Sequence, residues 1–164
     1  MRVRPADVED AAAIAGVHVH TWQAAYGHVF GAERLAGLDV ERRAGFWRDS
    51  LGGERAQVFV AEVDGRVVAF ASVGANVDEP DLGELYAIYA LPEAWGSGVA
   101  PALMVAGLGA LRRSGHGEAV LWVLSDNPRA RRFYEREGWV ADGTERVDEL
   151  LGTTVAETRY RIAL

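Results

Sequence analysis

The residues most open to a chemical reading lie between two regular patterns, in the run Leu91-Pro92-Glu93-Ala94-Trp95-Gly96-Ser97-Gly98-Val99-Ala100-Pro101. The run joins a strand pattern to the start of a helix pattern. A helix N-terminus offers unpaired backbone N–H groups and the positive end of the helix dipole, so it attracts phosphate. Gly96 and Gly98 remove side chains where a ligand would approach the backbone. No Gly-Lys-Ser/Thr follows, which excludes a P-loop, and the glycine spacing is not that of a dinucleotide fingerprint. Taken alone, the run is also what a tight turn needs, with Pro101 suited to the first helical position. The four histidines, His18, His20, His28 and His116, form no metal motif. His18 and His20 lie two apart and do not share a helix face. The chain has no cysteine, which excludes thiolate nucleophiles, disulfides and cysteine metal sites together. No metal is expected.

The elements that would hold this turn can be read outward from it. Arg2-Val3-Arg4 reads as a short strand closed by Pro5. Asp7 is suited to cap a helix running through Ala11–Ile14 towards Trp22, and the pattern breaks near Gly27. From Ala32 to Leu51, apolar Leu35, Leu38, Phe46 and Trp47 alternate with charges such as Glu41, Arg42 and Arg43, as in a half-buried helix or a pair of helices. Gln57–Val63 and Arg66–Val73 flank Asp64-Gly65, a dipeptide that accepts the positive φ angles of a type I′ hairpin turn. Glu84–Leu91 is a third long strand, ended by Pro92. A helix over about Ala100–Arg113 follows, then a strand Ala119–Leu124, a helix Pro128–Glu137 closed by Gly138, and two strands from Trp139 onward. This order predicts an α/β fold with a mixed central β-sheet flanked by helices. The helix between the third long strand and Ala119–Leu124 implies a parallel crossover.

Bulk composition narrows the function classes. A length of 164 residues fits one domain, taken as 1–164, and is long enough to bury a core. No apolar run approaches the ~20 residues that cross a bilayer, and the first residues lack a signal-peptide stretch, so no membrane role is expected and a cytoplasmic location is the default. The net charge of -7 argues against a nucleic-acid binder, whose surface is usually basic. An acidic chain suits cationic partners such as amines. All 17 basic residues are arginine.

Two separated motifs then fall into one pattern. The chain resembles the GNAT superfamily of N-acetyltransferases, over nearly its whole length and most densely from Gly83 to Val140. In that family a strand like Ile88-Tyr89-Ala90-Leu91-Pro92 precedes a turn Arg/Gln-x-x-Gly-x-Gly/Ala, matched here by Trp95 to Ala100. An Asn after the next strand and a Tyr in the following helix are matched by Asn127 and Tyr134. The resemblance implies acetyl-CoA as co-substrate. It implies that amides of Gly96, Ser97, Gly98, Val99 and Ala100 bind the pyrophosphate. The backbone of Ile88, Tyr89 and Ala90 would pair with the pantetheine arm, with Asn127 also at the cofactor. Two departures stand out: Trp95 replaces the usual Arg or Gln, and Pro101 has no N–H to offer.

The same resemblance assigns the chemistry. Tyr134 is the acid for the departing thiolate; the plainer reading is a core aromatic beside Phe133. Asn127 also reads as the N-cap of the helix from Pro128, and both roles are compatible. Some family members place a catalytic glutamate four residues before the contact matched here by Ile88, which points to Glu84 as the base. On a regular strand Glu84 shares a face with Tyr86 and Ile88. The alternative for Glu84 is a solvated charge at a strand start. Trp22, Tyr26 and the nearby histidines are expected to line the acceptor pocket, although Trp22 taken alone reads first as core packing, and Trp47, Trp122 and Trp139 are expected to pack. The expected acceptor is an amine of a small molecule, amino acid or peptide. Transfer to a hydroxyl, transfer of a longer acyl group, and a non-catalytic acyl-CoA sensor remain alternatives. Dimers are frequent among proteins resembling this one, so a homodimer is one assembly the resemblance allows.

Overall fold

Asp64 and Gly65 both take positive φ, 50° and 77°, and so close the expected two-residue turn between β2 (Ala56–Val63) and β3 (Arg66–Ala75). The computed structural model describes every residue, Met1–Leu164. Five further strands complete one sheet: β1 (Arg2–Pro5), β4 (Gly83–Ala90), β5 (Glu118–Leu124), β6 (Val140–Leu150) and β7 (Thr153–Ala163). Their order is β1-β2-β3-β4-β5-β7-β6. Every neighbouring pair is antiparallel except β4 and β5. That pair is the expected parallel crossover, made through α5 (Val99–Arg113).

The N-terminal helices divide more finely than the sequence pattern predicts. Asp7 does form a capping box, but on a single 3-10 turn, Val8–Asp10, and α1 (Ala11–Ala25) follows it. Between Ala32 and Leu51 there are two helices, α3 (Ala32–Ala36) and α4 (Val40–Gly52). Asp39 separates them because its carboxylate accepts from the N–H groups of Glu41 and Arg42, which starts a new helix there. A short α2 (Gly27–Phe30) precedes α3, and α6 (Pro128–Arg136) follows β5. No helix is long and apolar enough to cross a membrane.

The helices cover both faces of the sheet. Phe70 of β3 meets Trp47 of α4 edge-on, ring centroids 4.9 Å apart, a pair that contributes about 1 kcal/mol beyond its burial. Val73, of opposite parity on the same strand, meets α5 at Gly107, where a Cβ would sit 3.0 Å from Val73 Cγ1. A side chain at 107 would require Val73 or α5 to give by a few tenths of an ångström.

Two irregularities in β4 matter most for the site. Ser72 pairs with Ala87 but Val73 pairs with Leu85, so Tyr86 is an extra residue bulged against β3. On the other side, β4 and β5 pair only at Gly83↔Ala119 and Glu84↔Val120, and then part. The sheet is therefore split down its middle, with a gap opening towards the C-terminal ends of β4 and β5.

Candidate active site

The gap becomes a groove of ≈ 540 Å³ bounded by β4, β5, α1, the Trp95–Ala100 turn and α6. The backbone of β4 decides what it offers. Leu91 N–H donates to Val68 O at 2.9 Å, and hydrogen-bonded positions alternate along an antiparallel pair. Counting back through the register Phe70↔Tyr89 and Ala71↔Ile88, the N–H and C=O of Tyr89 point at β3. Those of Ile88 and Ala90 point into the gap. Ala90 O is already taken, by Thr21 Oγ1 at 3.0 Å and Trp95 Nε1 at 2.8 Å. An extended ligand can thus pair with Ile88 and with the Ala90 N–H. Tyr89 contributes its ring instead, stacked on His18 at 5.2 Å.

Beyond β4 lies the turn. Gly96 and Gly98 have φ of 76° and 89°, conformations that L side chains rarely adopt, and Gly98 is the N-cap of α5. No protein acceptor engages the N–H groups of Gly98, Val99 or Ala100. Ser97 is different: both its N–H and its hydroxyl donate to Ala94 O, at 3.2 and 2.6 Å. It braces the turn and leaves its donors unavailable to a ligand in this conformation. Val99 is buried in the core.

At the opposite wall stand Tyr134 and Asn127. Tyr134 is buried, its hydroxyl has no protein partner, and burial raises its pKa well above that of an ordinary phenol. It therefore keeps its proton at any physiological pH and can donate it. Asn127 Oδ1 caps α6 by accepting from Ala130 N at 3.1 Å, while Nδ2 donates to the Tyr26 hydroxyl at 3.2 Å. The asparagine is cap and strut at once. Tyr26 faces this groove rather than the second cavity described next.

That cavity, ≈ 760 Å³, lies across the β4 bulge and is lined by Glu84, Tyr86, Ala87 and Tyr89 with His18, Trp47, Arg43 and Arg55. The expected grouping of Glu84 with Ile88 fails here. The bulge at Tyr86 shifts the alternation by one, so Ala87 and Tyr89 join Glu84 while Ile88 turns to the groove. Trp22, Tyr86, Ala87, Tyr89 and Leu150 line both spaces and form the wall where they meet.

Glu84 is half-buried. Its Oε2 accepts from Asn76 Nδ2 at 2.8 Å, and Oε1 has no protein partner. Burial raises its pKa above the ordinary value, opposed by the Asn76 bond and the guanidinium groups of Arg146 and Arg55. His18 is pushed down to about 4, chiefly by burial, so it is neutral at pH 7. Its Nδ1 accepts from Trp47 Nε1 at 3.3 Å, which places the imidazole proton on Nε2. No group of three His, Asp or Glu side chains is close enough together to hold a metal.

A groove with an extended backbone edge, free amides at a helix start and a buried phenol fits a long thioester ending in phosphates. The family model described as Acetyltransferase (GNAT) family matches residues 10–139. The chain belongs to the GNAT acetyltransferase family. The uncharacterized N-acetyltransferase YuaI of Bacillus subtilis is 37% identical to it over 130 residues, 77% of this chain and 73% of YuaI. Mycothiol acetyltransferase of Rhodococcus jostii is 38% identical over 103 residues, 61% of this chain but only 33% of that longer protein. The fold matches PaiA N-acetyltransferase of Thermoplasma acidophilum, solved in complex with coenzyme A. The TM-score is 0.78 at 17% identity, covering 99% of this chain and 98% of that one. This GNAT protein is an acyltransferase that uses acetyl-CoA.

Three features of the acetyltransferase site are not predicted from its sequence. Asn76, which holds Glu84, sits in an Asx turn accepting from Asp78 N and Glu79 N. The Asn-Val-Asp-Glu-Pro run signals the turn but not the partner. Glu157, buried and paired with Arg146 at 2.6 Å, lines the groove from β7. Trp122, expected to pack, is half-buried in the groove wall with the Arg146 guanidinium 4.1 Å above its ring.

Proposed function

We propose that this acetyltransferase moves the acetyl group of acetyl-CoA to the primary amine of a small molecule, amino acid or peptide. The observation that carries this reading is the pair of adjoining cavities with a carboxylate in one and a free phenol in the other. Relatives named as mycothiol acetyltransferases are consistent with a small acceptor.

In this reading the cofactor lies along Ile88 and Ala90 with its phosphates at the amides of Gly98 to Ala100. The Ile88 N–H, aimed into the gap, donates to the thioester carbonyl and makes its carbon more electrophilic. The amine enters from the Glu84 cavity, across the wall of Ala87 and Tyr89. Glu84 Oε1 takes a proton from the ammonium, directly or through water. The nitrogen then bonds to the carbonyl carbon, the carbon–sulfur bond breaks, and the sulfur receives the Tyr134 proton. The second amine proton passes from the nitrogen to the Tyr134 phenolate, directly or through water, while Glu84 gives its proton to solvent. The products are the acetamide and free CoA thiol, with one proton released overall.

The test is thiol release from acetyl-CoA across a panel of amines and alcohols. Release that depends on amines and not on alcohols supports the reading; release with alcohols alone ends it. Tyr134→Phe keeps the ring and removes only the hydroxyl. A thiol pKa of roughly 8.5 makes thiolate a tolerable leaving group, so the expected loss in kcat is near the lower end for acid catalysis, about 10²-fold. Acetyl-CoA affinity should hold. Under single-turnover conditions, where product release plays no part, an unchanged rate would return Tyr134 to a packing role.

A further inference from the structure

The phosphate end of the groove contains a cation that the turn itself does not supply. Trp95 is fixed there by its Nε1 bond to Ala90 O, 2.8 Å, and is 37% exposed. Over its ring lies the guanidinium of Arg129, from the first turn of α6, with Cζ 3.3 Å from the ring centroid. Both side chains line the groove together with Gly96, Gly98 and Ala100. We propose that Arg129, held flat on the Trp95 indole, is the phosphate-binding cation of this groove. The proposal rests on the acetyl-CoA reading above and adds a residue to it.

Three observations support it. First, Arg129 makes no ion pair and no hydrogen bond within the protein, whereas Arg131 on the same helix donates to Tyr160 Oη and Ser125 O. Stacking occupies only the face of a guanidinium. Its N–H donors lie in the plane and point outward, in the fork that matches phosphate oxygens. Second, the amides left open at Gly98 and Ala100 lie on the same wall, so a phosphate there can take backbone and guanidinium donors at once. Pro101, next in line, has no N–H to give. Third, Arg136, which also lines the groove, is seven residues further along α6, about 10 Å away at 1.5 Å per residue. It belongs to the other end.

The indole is part of the device. An unsupported arginine at an exposed helix start would spend rotamer entropy on each bond it made. The Trp95 platform removes part of that cost before the ligand arrives.

Calorimetric titration with CoA and with 3′-dephospho-CoA tests this without relying on turnover. Arg129→Gln, which keeps much of the bulk without the charge, and Arg129→Ala should each weaken CoA binding about 10- to 100-fold, the range for a hydrogen bond to a charged group. Trp95→Ala should weaken it less, about 3- to 10-fold, as loss of a cation–π platform. Because the two act as a unit, the double variant should bind no worse than Arg129→Ala. Equal losses on both ligands assign the pyrophosphate, and a loss confined to CoA assigns the 3′-phosphate. Wild-type affinity in both Arg129 variants, or losses that multiply in the double variant, overturns this proposal alone. A wild-type protein that binds neither ligand overturns the acetyl-CoA reading and this proposal with it.

Discussion

Glu84→Gln is expected to lower kcat/KM at neutral pH by about 10²–10⁴-fold, the usual range for losing a general base. An alkylamine with a pKa near that of lysine, about 10.4, is almost wholly protonated at pH 7 and cannot attack. Glutamine keeps the shape, and its amide oxygen can still accept from Asn76, but it cannot take a proton. Raising the pH should restore part of the rate, since more of the amine is then already neutral.

The wild-type profile has its own signature. Glu84 works as carboxylate, and its pKa is raised, chiefly by burial. The acid limb of kcat/KM should therefore fall at a pH above the ordinary glutamate value of about 4.3, and the variant should lack that limb. Stability should move the other way. A carboxyl whose folded pKa lies above its unfolded value binds more protons when folded, so its contribution to stability is lost as pH rises through that window. Glu84→Gln, carrying no desolvated charge, should melt no lower than wild type at pH 7. Superimposable rate profiles for the two proteins would remove Glu84 from the chemistry; a variant that melts early would instead point to a structural loss.

How legible this was in the sequence depended on how local the cause was. The Asp64-Gly65 hairpin, the β4–α5–β5 crossover and the Asn127 cap each follow from chemistry within a few residues, and each is found where the pattern predicts it. The β6–β7 hairpin turns at Leu151-Gly152, with φ of 48° and 71°. Leucine is not a turn-former, so the only local signal for that position was Gly152. The bulge at Tyr86 was hidden for a different reason. Leu85–Leu91 is apolar almost throughout, and an unbroken apolar run carries no alternation from which a skipped position could be read. Yet that bulge decides that Tyr89, and not Ile88, faces the Glu84 cavity. The Asn76–Glu84 bond and the Arg129–Trp95 stack join residues from different elements, and only the folded chain brings them together.

The turn itself gives the largest expected binding effect. Gly98→Glu should leave no measurable acetyl-CoA binding at concentrations that saturate the wild type. Two unit charges 4 Å apart interact by about 4 kcal/mol at an effective dielectric of 20, so a carboxylate beside phosphate costs about 10³-fold in affinity. It would also offer Arg129 an intramolecular partner in place of the ligand. The backbone limits the design of the control. At φ 89° a non-glycine residue is strained by roughly 1–2 kcal/mol, although an added Cβ meets nothing within 4 Å. Gly98→Ala carries that strain without the charge, so it should lose some thermal stability and only part of the affinity. The difference between the two variants isolates repulsion from strain. Calorimetry on both, after circular dichroism has shown them folded, makes the comparison. If Gly98→Glu binds acetyl-CoA as the wild type does, the phosphates lie elsewhere, and the open amides of Gly98 and Ala100 are simply the solvated start of α5.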